Sequence, residues 1–107
     1  APYDSWANRI AQLRFVQDIP MDASHPSWHT LTGIEAALPQ FTNKPMLLCW
    51  GGADFCFDRH FYDQWRERFP QAEAYFFPHA GHYLFEDALP EITPRISTFL
   101  ERLVPNA

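Results

Sequence analysis

The sequence predicts an α/β fold built on a parallel strand–helix–strand unit, and three observations carry that expectation. Residues 45–50, Pro45-Met46-Leu47-Leu48-Cys49-Trp50, form an unbroken apolar run closed by Gly51-Gly52. Such a run, without alternation, is the pattern of a strand buried on both faces. A second short run, Ala74-Tyr75-Phe76-Phe77, has the same character. Between the two, Phe61, Trp65 and Phe69 recur at i, i+4 and i+8, which places one aromatic stripe on a helix. Strand, helix, strand and a further helix, in that order, make the βαβ arrangement of a parallel sheet, with a right-handed crossover.

The elements follow in chain order. A helix is expected over residues 5–17, where Trp6, Ile10, Leu13 and Val16 share one apolar face; Pro20 ends it. After a polar stretch, a second helix spans about residues 27–38 with a stripe of Leu31, Ile34 and Leu38, stopped by Pro39. Gly33 lies inside it and weakens it by about 1 kcal/mol relative to Ala. The first strand follows, and Gly51-Gly52 lets the chain turn sharply at its end. Asp58 suits the N-cap of a helix over residues 59–69, closed by Pro70. The second strand covers residues 74–77. A last helix covers about residues 89–103, with Ile92, Ile96, Phe99, Leu100 and Leu103 facing inward. Pro94 is tolerated near its first turn, and the acids Glu86 and Asp87 suit its positive end.

Composition narrows the function classes. The chain has 107 residues, 47% of them hydrophobic, enough for one domain with a modest core. The net charge is −5 and Lys and Arg do not cluster as a phosphate backbone requires, so nucleic acid is not an expected partner. No apolar run reaches the ~18 residues of a membrane span. No signal peptide is visible at the N-terminus. Cys49 and Cys56 lack the spacing of a zinc or redox motif, and a reduced, cytoplasmic chain is the simplest reading. A parallel sheet of two strands is too small to stand alone. The free edge of the first strand is expected to be covered by an N-terminal segment, a partner chain or a second copy of this one.

The chemistry lies in two loops. Gly51-Gly52-Ala53-Asp54 follows the first strand, and Pro78-His79-Ala80-Gly81-His82 follows the second. A helix of about 11 residues and a strand of five both span roughly 16 Å. The helix therefore carries the chain back across the sheet, and both loops leave its carboxyl edge, where open α/β sheets bind ligands. An Asp and a His on adjacent parallel strands can hydrogen-bond, the carboxylate fixing the imidazole tautomer and stabilising the imidazolium. Asp54 is read as the catalytic acid, against the simpler reading of an Asx turn closing the strand. Asp58 is the competing acid. His82 is read as the base. Phe55, Phe57, Tyr83 and Leu84 flank the pair and line either a substrate pocket or the core, with Phe55, Phe57 and Tyr83 the candidate substrate-binding residues. His79 and His82 make a His-x-x-His pair without a third ligand nearby, so no metal site is expected. His79 is expected at the edge of the site, and His25, His29 and His60 at the surface or at helix ends. Trp50 is expected to be structural.

These motifs resemble the C-terminal third of an α/β-hydrolase. The residues carrying the likeness are Gly51-Gly52-Ala53-Asp54 after an apolar strand, then Gly81-His82-Tyr83, then the acidic, Pro-containing helix start Glu86-Asp87-Ala88-Leu89-Pro90-Glu91. It covers about residues 41–104. The resemblance implies a fragment of a doubly wound sheet, two parallel strands with flanking helices, incomplete on its own. It implies that Asp54 is the acid and His82 the base of a triad. Residues 1–22 look like the end of a helical cap, and residues 23–107 like the C-terminal part of the core. Arg9 and Phe15-Val16-Gln17-Asp18-Ile19-Pro20 look most like the haloalkane dehalogenase and epoxide hydrolase branch. The family's nucleophile elbow, Gly-x-Ser-x-Gly or its Asp equivalent, is not among the 107 residues, and it is expected upstream of Ala1 together with the oxyanion hole. The implied activity is hydrolysis of a small ester, haloalkane or epoxide without a cofactor, the chain being inactive by itself. The rival expectation is a non-catalytic association module that uses a hydrolase-like half-fold.

Overall fold

The computed structural model describes residues 3–104. The chain divides into two compact units, Ala1–Leu38 and Pro39–Ala107.

The first unit holds α1 (Trp6–Gln17) and α2 (Trp28–Ala37). Ser5 caps α1, its hydroxyl accepting from the amide of Asn8 at 3.3 Å, the expected use of a serine at that position. Arg9 donates from Nε to the Ser5 carbonyl at 3.1 Å. The face read as apolar is not buried. Trp6, Ile10 and Val16 are exposed, and Leu13 alone of the four is half-covered. A stripe states which side of a helix is apolar; burial also needs an element packed on it, and α1 buries no residue. Leu31 and Ile34 on α2 are likewise exposed. His25 departs from the surface reading: its side chain is 18% exposed, with Nε2 3.5 Å from Asp18 Oδ1 and Nδ1 accepting from the Ser27 amide at 3.1 Å. Pro39 does not stop the chain's helical course. The backbone tightens instead into a 3₁₀ turn over Leu38–Phe41.

The second unit holds the sheet. β1 (Leu47–Gly51) and β2 (Glu73–Phe77) are parallel, in register from Leu47 opposite Glu73 to Gly51 opposite Phe77. α3 (Arg59–Arg68) connects them and α4 (Leu84–Leu103) follows. Alternation along the strands separates two faces. Cys49, Tyr75 and Phe77 pack with Ala80, Ala88, Ile92 and Ile96 in the core made with α4. Trp50 and Phe76 meet Tyr62 of α3, at ring distances of 6.1 and 5.1 Å. Helices thus lie on both faces of a parallel pair, a mixed helix-and-strand arrangement compatible with part of an α/β sheet. The strands are half-buried rather than buried, except at Gly51 and Phe77. With two strands among the described residues, each has one edge without a β-partner. No helix among these residues is long and apolar enough to cross a membrane.

Two boundaries differ from expectation. α3 ends at Arg68, and Phe69, fully buried, is its C-cap. α4 begins at Leu84, five residues early, and is broken at Ala88, where φ is −134° and ψ 24°. Pro90 sits where the helix restarts, the position a proline tolerates. Pro94 lies past the first turn of the restarted stretch, so its missing N–H deletes one ladder bond. Ile92 is fully buried, Ile96 and Phe99 are half-buried, and Leu100 and Leu103 are exposed against expectation.

Candidate active site

β1 delivers its loop onto that of β2 through a backbone ladder that continues past the strands. The Gly52 amide donates to the Phe77 carbonyl at 2.8 Å, and the Ala53 amide to the Ala80 carbonyl at 2.9 Å. The glycines serve close approach here, not a left-handed turn: no described glycine has positive φ. A Cβ on Gly52 would lie 2.7 Å from the Phe76 ring and 2.8 Å from Pro78 Cα. The sharp turn expected of Gly51-Gly52 is present, the Asp54 amide donating back to the Gly51 carbonyl at 3.4 Å, and glycine is needed there for tight contact with the neighbouring strand and its loop.

Asp54 follows directly. Its Oδ1 accepts from the amides of Cys56 at 2.8 Å and Phe57 at 2.9 Å, which is the Asx turn. Both carboxylate oxygens also lie 3.1 Å from Nδ1 of His82. The Asx turn and the contact with His82 are therefore compatible: the turn aims the carboxylate at the imidazole. Burial by itself raises the Asp54 carboxyl, but the amides of Phe57 and Cys56, and then His82, outweigh it and hold the group below its ordinary value. An ionised carboxylate only accepts hydrogen bonds, so Nδ1 of His82 is the donor. The neutral ring then carries its lone pair on Nε2, the arrangement of a general base oriented by an acid. Asp54 is 11% exposed and His82 35%, so the acid is covered and the base is open to a ligand. Asp58 is occupied elsewhere, its Oδ1 accepting from the His60 amide at 2.9 Å as the cap of α3.

Three aromatic rings surround His82. Phe57 stacks on it at 5.9 Å and 23°, Phe55 lies at 5.4 Å, and Tyr83 meets it edge-on at 5.7 Å. Their exposures of 86% for Phe55, 74% for Tyr83 and 46% for Phe57 place them outside the core. Leu84, by contrast, packs against the core. His79 turns away to Glu91 at 2.9 Å. Among the described residues no group of three His, Cys, Asp or Glu is placed to hold a metal ion.

Sequence reasoning missed two supports. The indole Nε1 of Trp50 donates to the Phe57 carbonyl at 2.8 Å and fastens the far end of the Asp54 turn. An indole N–H at the end of a strand needs an acceptor, which was the available signal. The amide of Gly81 donates to Oδ2 of Asp87 at 2.7 Å; a helix-start acid six residues past a loop glycine gives no comparable signal.

No family model matches the chain. It is similar to two curated proteins, each named cis-3-alkyl-4-alkyloxetan-2-one decarboxylase. One, from Shewanella oneidensis, is 47% identical over 100 residues, covering 94% of this chain and 31% of that protein. The other, from Xanthomonas campestris pv. campestris, is 45% identical over 102 residues, covering 95% of this chain and 34% of that protein. The chain spans about a third of the length of these curated relatives.

Proposed function

We propose that this chain supplies the acid–base pair, Asp54 and His82, of an α/β-hydrolase-type enzyme that decarboxylates a 3,4-dialkyl oxetan-2-one. The observation that carries the reading is the placement of Nδ1 of His82 3.1 Å from both oxygens of Asp54, in a chain 45% and 47% identical to proteins with that activity in their name. An oxetan-2-one is a strained four-membered ester, which suits a site of the ester-attacking kind. Loss of CO2 breaks the C2–C3 bond and the bond from C4 to the ring oxygen, and forms the C3=C4 bond of an alkene. No water is consumed, so the proton work is transient: His82 Nε2 takes up a proton and returns it, and Asp54 stabilises the imidazolium meanwhile. No cofactor is needed for that balance. Phe55, Phe57 and Tyr83 give the two alkyl chains an apolar surface beside the reacting ring.

On this reading the nucleophile and oxyanion donors come from sequence beyond these 107 residues, because no elbow motif is present, and the chain alone turns nothing over. Residues 1–22 close a helical cap, residues 23–107 complete the core, and the free edge of β1 pairs with a strand from the rest of the enzyme.

A second reading keeps the site and changes the outcome. The resemblance of Arg9 and residues 15–20 to haloalkane dehalogenases and epoxide hydrolases favours hydrolysis, with His82 activating water. One experiment separates the two. The matching third of the Shewanella oneidensis protein is replaced by this chain, and a cis-3,4-dialkyl oxetan-2-one is supplied. Alkene and CO2 in equal amounts, lost on His82→Ala, are expected. A 3-hydroxy acid without CO2 means hydrolysis. Undiminished turnover in folded His82→Ala and Asp54→Ala chimeras removes the pair from the reaction.

A further inference from the structure

We propose that Asp87 is a positioning residue for His82, acting through the backbone amide of Gly81. The proposal rests on the reading of Asp54 and His82 as the reactive pair and extends it to the element that holds the histidine in place. The His82 loop leaves β2 at Phe77 and enters α4 at Leu84. On one side Ala80 is bound, its carbonyl accepting from Ala53 at 2.9 Å. On the other the amide of Gly81, the residue before His82, donates to Asp87 Oδ2 at 2.7 Å. A charged acceptor makes this one of the stronger bonds in the loop.

Asp87 is itself well placed to hold. It lies in the first turn of α4, and its carboxylate reaches back out of the helix rather than to its own turn. The next residue, Ala88, carries the break in the helix and is locked in the core with Ala80. One turn further on, Glu91 pairs with His79 of the same loop at 2.9 Å. Gly81 is tightly enclosed: a Cβ there would lie 3.3 Å from Asp87 Oδ2, and its own carbonyl oxygen would lie 2.4 Å from a Cβ on Gly51. Releasing the Asp87 side frees the loop to drift and carries His82 Nδ1 out of reach of Asp54.

The test uses the chimera described above, labelled with 15N, and reads the downfield Nδ1 proton of His82 and the two ring nitrogen shifts. In the unaltered chain the proton is expected on Nδ1. Asp87→Ala should make that proton exchange with water about tenfold faster or more, the scale of a lost charge-assisted bond, and should mix the tautomers. Asp87→Asn, which keeps an acceptor oxygen but not the charge, should keep the proton on Nδ1, with exchange between that of the unaltered chain and that of Asp87→Ala. Phe99→Ala, which loosens α4 beside Met46 and Glu73 at the other end of the strands, should lower the melting temperature and leave the proton in place. An unchanged proton in Asp87→Ala overturns the proposal, and so does equal loss in Phe99→Ala. Loss in Asp87→Asn overturns it too, even if Asp87→Ala does not fold. Persistence of the proton in Asp54→Ala would instead be failure of the acid–base reading itself.

Discussion

Gly51 passes so close to Gly81 that a Cβ built on the first would sit 2.4 Å from the carbonyl oxygen of the second, and 2.7 Å from that of Ala80. Neither obstacle is a side chain that can swing away. Gly51→Ala should therefore cost about 1–3 kcal/mol, the range of overpacking, and should push apart the loops that carry Asp54 and His82. Gly33 is the contrast: nothing lies within 4 Å of a Cβ there and it is in mid-helix, so Gly33→Ala should add roughly 0.5–1 kcal/mol. Urea unfolding of the two variants checks both signs.

Why the strands and the pair were legible, and these contacts were not, is a matter of range. The apolar run at Leu47-Leu48-Cys49-Trp50 and the stripe at Phe61, Trp65 and Phe69 are local patterns, and each lies within the expected element or at its cap. Asp54 and His82 were placed together by counting residues along a helix and a strand. The chain does turn after Gly51 as expected, but the need for glycine at Gly51 comes instead from Gly81, thirty positions away. The exposure of Trp6, Ile10 and Val16 was hidden because a pattern records an apolar face and not its cover. The early start of α4 was hidden by the break at Ala88, where the dihedrals of one small residue separate two helical stretches.

Trp50→Phe should isolate a single bond. It keeps the ring against Tyr62 but removes the donor to the Phe57 carbonyl. The expected loss is about 1 kcal/mol. Hydrogen exchange should quicken at the amides of Cys56 and Phe57, the two that donate to Asp54, and stay unchanged in α4.

Acid should weaken the second unit with a definite sign. Asp54 is held below its ordinary value of 3.8, and Glu73, bonded to the Tyr75 hydroxyl and then to Arg102, below its ordinary 4.5. A carboxyl depressed by folding contributes stability that is present in full above its unfolded value and lost as pH falls through its folded one. Stability should thus be level above about pH 5 and fall below about pH 4. Asp54→Asn should make the fall shallower, with Glu73 supplying what remains. Denaturant midpoints measured between pH 6 and 2.5 test the shape.

The two cysteines should react unequally. Burial, then the charge of Glu73, raises the Cys49 thiol, and Cys49 is half-buried while Cys56 is exposed. Because the thiolate is the reactive form, iodoacetamide at pH 8 should alkylate Cys56 first. Peptide mass spectrometry reads the order, and the reverse order would contradict the packing of β1.

The pairing of Gly51 with Phe77 makes the sheet register a ruler for the site. Each residue of strand advances about 3.3 Å, roughly the span of the contact between His82 and Asp54. A slip of one residue turns the apolar faces inside out; a slip of two keeps the faces but sets the loops about 6.6 Å out of step. Either error parts Asp54 from His82 before any side chain is altered. On the proposed reading of that pair, mispaired molecules are inert rather than wrongly reactive, and the precision of the chemistry is inherited from the backbone ladder beneath it.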